Sequence, residues 1–246
     1  MSPNLVFASG VLVPQKIGRF EYFKGLSAHY PAETTLFFPV STLGTVQERA
    51  AELAKAILDK FPTGDVHIIA HSMGGLDSRC ILAQDLQGLA SGKRIVSLST
   101  ISTPHHGSPL ADLLLGPLGA LEVPFKHFLS QIPSVLANNA LVDLSTKNAP
   151  GFKDKDPVPG VRYFCYAGHG VGSAILYPLH AYITSREGDN DGVVSITSAT
   201  WPDQLAEDVW EADHLAEIGY DLNRPDLTTP FPFVDTIARV VARAIA

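Results

Sequence analysis

Apolar residues along the chain follow two alternating patterns. Short, nearly unbroken runs at Leu5 to Ala8, Thr34 to Val40, Asp65 to Ala70, Arg94 to Ile101 and Val161 to Ala167 predict strands buried on both faces. Between several of them the spacing becomes helical. Arg19 to Tyr30 predicts a helix with Phe20, Phe23 and Leu26 on one face. Thr45 to Lys60 predicts an amphipathic helix, because Val46, Ala50, Leu53, Ala54, Ile57 and Leu58 recur at helical spacing and Thr45 with Glu48 forms a capping-box pattern. Met73 to Leu89 predicts a third. Alternation of strand and helix over the first half of the chain points to a mostly parallel sheet with helices on both faces.

Thr103-Pro104-His105-His106-Gly107-Ser108 breaks that rhythm. From Pro109 to about Asn148 no strand pattern appears, and Gly116, Pro117, Pro124 and Pro133 divide a leucine- and phenylalanine-rich stretch into short helices. Such a segment reads as a cap over a pocket, against the plainer reading of core helices on the sheet flank. Gly168 to Gly188 reads as a loop-rich excursion. A last short strand at Glu207 to Trp210 and a closing helix from Phe233 to Ala246 complete the pattern. We expect one domain over residues 1–246, with a helical cap inserted at 109–150.

The centre of this arrangement is Val66-His67-Ile68-Ile69-Ala70-His71-Ser72-Met73-Gly74-Gly75. An apolar run stops at a serine, two glycines follow, and a helix begins. Strand, sharp turn and helix with a serine on the turn form a nucleophile elbow, where the strained turn raises the hydroxyl above the sheet edge. Small neighbours are needed because strand and helix approach closely there.

A serine hydroxyl becomes a nucleophile when a neutral imidazole takes its proton, and a buried carboxylate must orient that imidazole. On a sheet of this kind the acid and then the base follow the serine in sequence. His214, after the Asp208-Val209-Trp210 run, is the best base. His67 lies inside a strand and His71 flanks the serine. His29, His127, His169 and His180 read as solvated or structural, and His105 and His106 sit near the rim of the site, before the acid. Asp191, in the Gly188-Asp189-Asn190-Asp191-Gly192 turn, is the best acid, although Asp-Gly is also a common hairpin turn. Asp189 competes with it, and Asp143, in the cap, is disfavoured. The oxyanion of acyl transfer needs backbone donors. Met73 N–H is one; Val11 N–H, after the first strand, is the other, with Gly10 and Leu12 as neighbours that could replace it.

Composition narrows the partners. With a net charge of −7, 17% charged residues and no basic run longer than Lys93-Arg94, the chain shows no footprint for nucleic acid or anionic membranes. Two cysteines, Cys80 and Cys165, make no disulfide framework and no metal spacing, and read as buried thiols rather than a single bridge. No leader pattern or membrane-length apolar run appears, so a cytoplasmic protein is expected.

Taken together, Ala70-His71-Ser72-Met73-Gly74-Gly75, Thr103-Pro104-His105-His106-Gly107-Ser108, Asn190-Asp191-Gly192-Val193-Val194-Ser195 and Asp213-His214-Leu215 resemble the bacterial family I triacylglycerol lipases and the related intracellular fungal lipases. The resemblance implies an α/β-hydrolase fold, carboxylic ester hydrolysis, an apolar acyl pocket under a helical lid, and Ser72, Asp191 and His214 as nucleophile, acid and base. It requires no cofactor. The chain departs from the family at Ser9-Gly10, where His-Gly is usual. It also departs at the two calcium aspartates of the secreted members, which fall on Ala216 and near Tyr177-Pro178, so no calcium is expected there. The family's disulfide has no counterpart, and the shorter chain implies a reduced lid. The expected function is a serine ester hydrolase of lipase type acting on acylglycerols or other apolar acyl esters. An acyltransferase or non-lipolytic esterase on the same fold, and a non-catalytic lipid-binding protein, are the rival readings.

Overall fold

The computed structural model describes residues 3–10, 16–17, 20–38, 44–116, 139–149, 157–170, 173, 176–201, 206–222 and 230–246. Its strands are β1 (Asn4–Ala8), β2 (Lys16–Ile17), β3 (Phe20–Glu21), β4 (Thr35–Phe38), β5 (Val66–His71), β6 (Ile95–Ile101), β7 (Arg162–His169) and β8 (Asp208–Glu211). β2 and β3 make a small antiparallel pair. The other six form one sheet in the order β4-β1-β5-β6-β7-β8, and every pairing in it is parallel. The helices are α1 (Val46–Lys60), α2 (Met73–Ala83), α3 (Pro109–Leu115), α4 (Asn139–Leu144), α5 (Tyr177–Glu187), α6 (Ile196–Ala199) and α7 (Phe233–Ile245).

The unbroken apolar runs follow from burial on both faces. Successive strand residues point to opposite sides. Val6 and Ile68 pack with Leu53, Ile57 and Leu76 of α1 and α2, whereas Phe7 and Ile69 pack with Phe23, Leu26 and Ile237 beneath α7. Full burial of each such side chain contributes about 1.5–3 kcal/mol before the loss of chain entropy is counted.

α1 starts as its sequence predicts. Thr45 Oγ1 accepts from Glu48 N at 3.2 Å and Glu48 Oε2 accepts from Thr45 N at 2.9 Å, which completes the capping box. Asp143 Oδ2 also accepts from Val46 N at 2.7 Å, so the aspartate set aside as a catalytic acid places its negative charge at this helix N-terminus.

Three elements differ from the sequence pattern. Arg19 lies outside the described residues, and no helix spans the rest of Arg19 to Tyr30. β3 is followed by a 3-10 turn at Leu26–Ala28, after Gly25 has taken a left-handed φ of 77°. Phe23 and Leu26 are nevertheless fully buried, so the apolar spacing reported burial rather than helix. The helix begun at Met73 ends at Ala83 instead of Leu89, because Asp85 has φ 50° and turns the chain into a second 3-10 segment. The excursion after Gly168 contains α5, which has Pro178 in its first turn. α3 and α4 are short helices within the expected cap; residues 117–138 between them lie outside the described residues. Cys80 and Cys165 are free and buried. Among the described residues no helix is long and apolar enough to cross a membrane.

Candidate active site

The sheet order reverses direction at β1: the chain passes from β1 to β4 on one side, then to β5 on the other. Ligand crevices form outside the carboxyl ends of strands at such a reversal. Gly10 lies just after β1 and Ser72 just after β5.

Ser72 has φ 56° and ψ −133°, a conformation that costs a non-glycine residue about 1–3 kcal/mol. Three hydrogen bonds hold it there. Ser72 N donates to Ile101 O at 2.9 Å, and Ser72 O accepts from Gly75 N at 3.1 Å and from Thr103 Oγ1 at 2.8 Å. The glycines that follow are required by space: a Cβ on Gly74 would lie 2.5 Å from Ala8 O, and one on Gly75 would overlap Thr103. Met73 opens α2, so its N–H is among the first-turn donors that have no partner within the helix. Val11 and Leu12 lie outside the described residues.

The structure brings Asp191 and His214 together. Asp191 Oδ2 accepts from His214 Nδ1 at 2.7 Å, and His214 N donates to Asp191 O at 3.0 Å. The other carboxylate oxygen accepts from Val193 N at 2.8 Å and Val194 N at 2.7 Å. Asp191 is fully buried, whereas its competitor Asp189 is exposed. Asn190 fixes the turn by donating to Gly188 O at 2.9 Å and Thr184 Oγ1 at 3.0 Å, which ties it to α5. His214 keeps 12% of its side chain exposed and packs beside His71, the residue before the serine, with ring centroids 4.4 Å apart and planes tilted by 43°. None of the described hydrogen bonds joins Ser72 to His214; such contacts often tighten only with substrate in place. Asp213, beside the histidine, is occupied as a cap, accepting from Leu215 N, Ala216 N and Ser173 N.

His105 is not at the rim. It is buried against Arg79, with Nδ1 at 3.0 Å from Arg79 Nη1 and Nε2 at 3.1 Å from Thr100 Oγ1. Burial first, and then the Arg79 charge, hold its pKa well below the usual imidazole range. It is a structural neutral histidine.

Two buried networks were not anticipated. Arg49, on the apolar face of α1, forms a fully buried ion pair with Asp77 of α2 at 2.7 Å and donates from Nη2 to Ser9 O at 2.9 Å. Its signal was present, since position 49 falls between Val46, Ala50 and Leu53 on one helical face. Glu217, three residues after His214, is also fully buried. Its Oε2 lies 3.0 Å from His71 Nε2 and 3.7 Å from His214 Nδ1. Its Oε1 accepts from Ser102 Oγ at 2.7 Å. A Cβ at position 168 would overlap this carboxylate, which accounts for glycine there. Burial, followed by the Asp191 charge, pushes the Glu217 carboxyl well above the usual carboxylate range, while the Ser102 hydroxyl opposes that shift. Burial and the neighbouring His214 keep His71 neutral, well below the usual imidazole range. Among the described residues His71, His214 and Glu217 form a group with metal-ligand spacing, their ligand atoms within 4.8 Å of one another. Hydrogen bonds already engage those atoms.

No family model matches the chain. It is 29% identical to Triacylglycerol lipase 2 of Saccharomyces cerevisiae over 238 residues, which cover 90% of this chain and 69% of that protein. It is 27% identical to the triacylglycerol lipase of Pseudomonas fragi over 263 residues, covering 88% of this chain and 87% of that one. Among solved structures, the mature lipase BlEst2 of Bacillus licheniformis matches with a TM-score of 0.66 at 23% identity, over 87% of this chain and 85% of that chain. The chain has the α/β-hydrolase fold and is similar to triacylglycerol lipases. In this fold the residue after the elbow serine and the turn after the first strand face the same crevice.

Proposed function

We propose that the protein hydrolyses carboxylic esters of apolar acyl groups, acylglycerols among them, with Ser72 as nucleophile, His214 as base and Asp191 as acid. The observation that carries this reading is the 2.7 Å hydrogen bond from His214 Nδ1 to a fully buried carboxylate, on a histidine that packs beside the serine elbow. Bonding Nδ1–H to Asp191 leaves Nε2 with its lone pair free, the form a general base needs. Ser72 Oγ attacks the ester carbonyl carbon and its proton passes to His214 Nε2. The C=O electron pair moves onto oxygen, facing the N–H groups of Met73 and Val11. Collapse expels the alkoxide, which takes the proton from His214 and leaves as the alcohol. Water then repeats the sequence on the acyl-enzyme and releases the acid.

The substrate class rests on the two curated relatives named as triacylglycerol lipases and on the apolar segment 109–150, which we read as a cap. Leu115 and Val142, on the two short helices flanking the undescribed part of that segment, are 47% and 44% exposed. A cytoplasmic location is proposed from the two buried free thiols.

Initial rates on p-nitrophenyl esters of increasing acyl length test this reading. Turnover is expected to rise from acetyl to medium-chain acyl groups. Asp191→Asn keeps the shape of the side chain but removes the charge that fixes the tautomer, and should lower kcat by about 10⁴-fold. A variant within tenfold of the parent would assign the acid to another residue.

A further inference from the structure

We propose that Tyr22 and His71 are positioning residues: a buried hydrogen-bonded chain, Tyr22 to His71 to Glu217, whose phenolic oxygen packs on Gly10 and locks the turn after β1 against Ser72. The proposal rests on the ester-hydrolase reading above.

Tyr22 Oη lies 2.8 Å from His71 Nδ1, and His71 Nε2 lies 3.0 Å from Glu217 Oε2. Tyr22, His71 and Glu217 are all buried. Gly10 sits in contact with both the Tyr22 oxygen and the nucleophile, since a Cβ there would overlap Tyr22 and lie 2.8 Å from Ser72 Cβ. Neutral His71 has one N–H and one lone pair, so it donates to one of these neighbours and accepts from the other. The second Glu217 oxygen accepts from Ser102.

The Ser9–Gly10 peptide unit is confined by this arrangement. Arg49 Nη2, at 2.9 Å, holds the Ser9 C=O, and the Tyr22 oxygen packs on Gly10. The plane cannot rotate without leaving a buried polar group unpaired. It lies where the fold supplies its second oxyanion donor, and the far end of the chain ends at Glu217, 3.7 Å from His214 Nδ1. Small displacements of such donors cost rate steeply.

Tyr22→Phe removes one oxygen and keeps the ring that packs edge-on to Phe23 at a centroid distance of 5.2 Å. We expect kcat to fall about 10- to 100-fold with KM within about twofold, a smaller loss than removal of a donor itself. The second readout is inhibition by an alkyl trifluoromethyl ketone, to which Ser72 Oγ adds while its proton passes to His214, leaving an oxyanion in the site. Its Ki should weaken by the same factor as kcat/KM. His71→Asn places a side-chain amide, able to donate or accept, where Nδ1 meets the Tyr22 hydroxyl and should retain most activity; His71→Leu should match Tyr22→Phe. Folded variants with unchanged kcat and Ki would overturn the proposal, as would equal losses in His71→Asn and His71→Leu. Ser72→Ala runs beside them: if it is inactive while Tyr22→Phe is fully active, only this proposal fails, whereas turnover surviving in Ser72→Ala removes the underlying reading.

Discussion

Replacing Ser72 by alanine is expected to lower kcat on p-nitrophenyl esters by about 10⁵-fold or more, leaving only what binding and oxyanion stabilisation supply. The same position offers a second, opposite effect. Ser72 is held at φ 56° and ψ −133°, with hydrogen bonds to Ile101 and Thr103 fixing its main chain. Glycine adopts such backbone angles without a Cβ penalty. Ser72→Gly should therefore be equally inactive yet more stable than the parent by about 1 kcal/mol, after its larger unfolded-state entropy is set against the relieved strain. Urea denaturation followed by circular dichroism reads the difference as a higher midpoint at unchanged slope. A midpoint below that of the parent would show that the elbow stores no strain worth relieving. Activity retained in Ser72→Ala would displace the serine from its role.

The largest stability effect is expected at Arg49 and Asp77. The pair is completely buried, with Arg49 Nε and Nη2 both reaching the Asp77 carboxylate and Nη2 also holding Ser9 O. Removing one partner leaves a bare charge in the core, and Arg49→Met or Asp77→Leu should each cost about 3–5 kcal/mol. The double variant leaves neither charge unpaired and should recover most of that loss, because isosteric apolar replacement of a buried pair is often neutral. Its remaining deficit would be the orphaned Ser9 carbonyl, about 1–3 kcal/mol. The measurement is again the urea midpoint across the four proteins. Single variants within about 1 kcal/mol of the parent would mean that water reaches the pair.

The sheet and the central elements of the site could be read from the chain because they depend on local chemistry. An apolar run that stops at Ser72 before Gly74 and Gly75 specifies strand, turn and helix; Thr45 and Glu48 specify a helix start; and Asn190, Asp191 and Gly192 specify a tight turn. Patterns that report burial without geometry were less informative. Phe23 and Leu26 have helical spacing but reach the core from the bend after β3 and from a 3-10 turn, since Gly25 reverses the chain between them. α5 was missed because Tyr177 to Glu187 has almost no apolar face, only Leu179 and Ile183 being buried. Tyr22, His71 and Glu217 were out of reach for a different reason. Their partners lie 49 and 146 positions apart, and nothing local marks a tyrosine or a glutamate as one end of such a bond.

All five pairings in the main sheet are parallel, so no two neighbouring strands in it are joined by a hairpin. Each must close a long loop before it gains any contact, and chains built this way fold slowly, with pairing edges open for longer. The crevice gathers Gly10, Ser72, Asp191 and His214 from almost the whole length of the chain. A fragment that stops short of His214 therefore carries no working site. During refolding, ester turnover should return only once β8, which leads into His214, has joined the edge of the sheet, later than most of the helical signal.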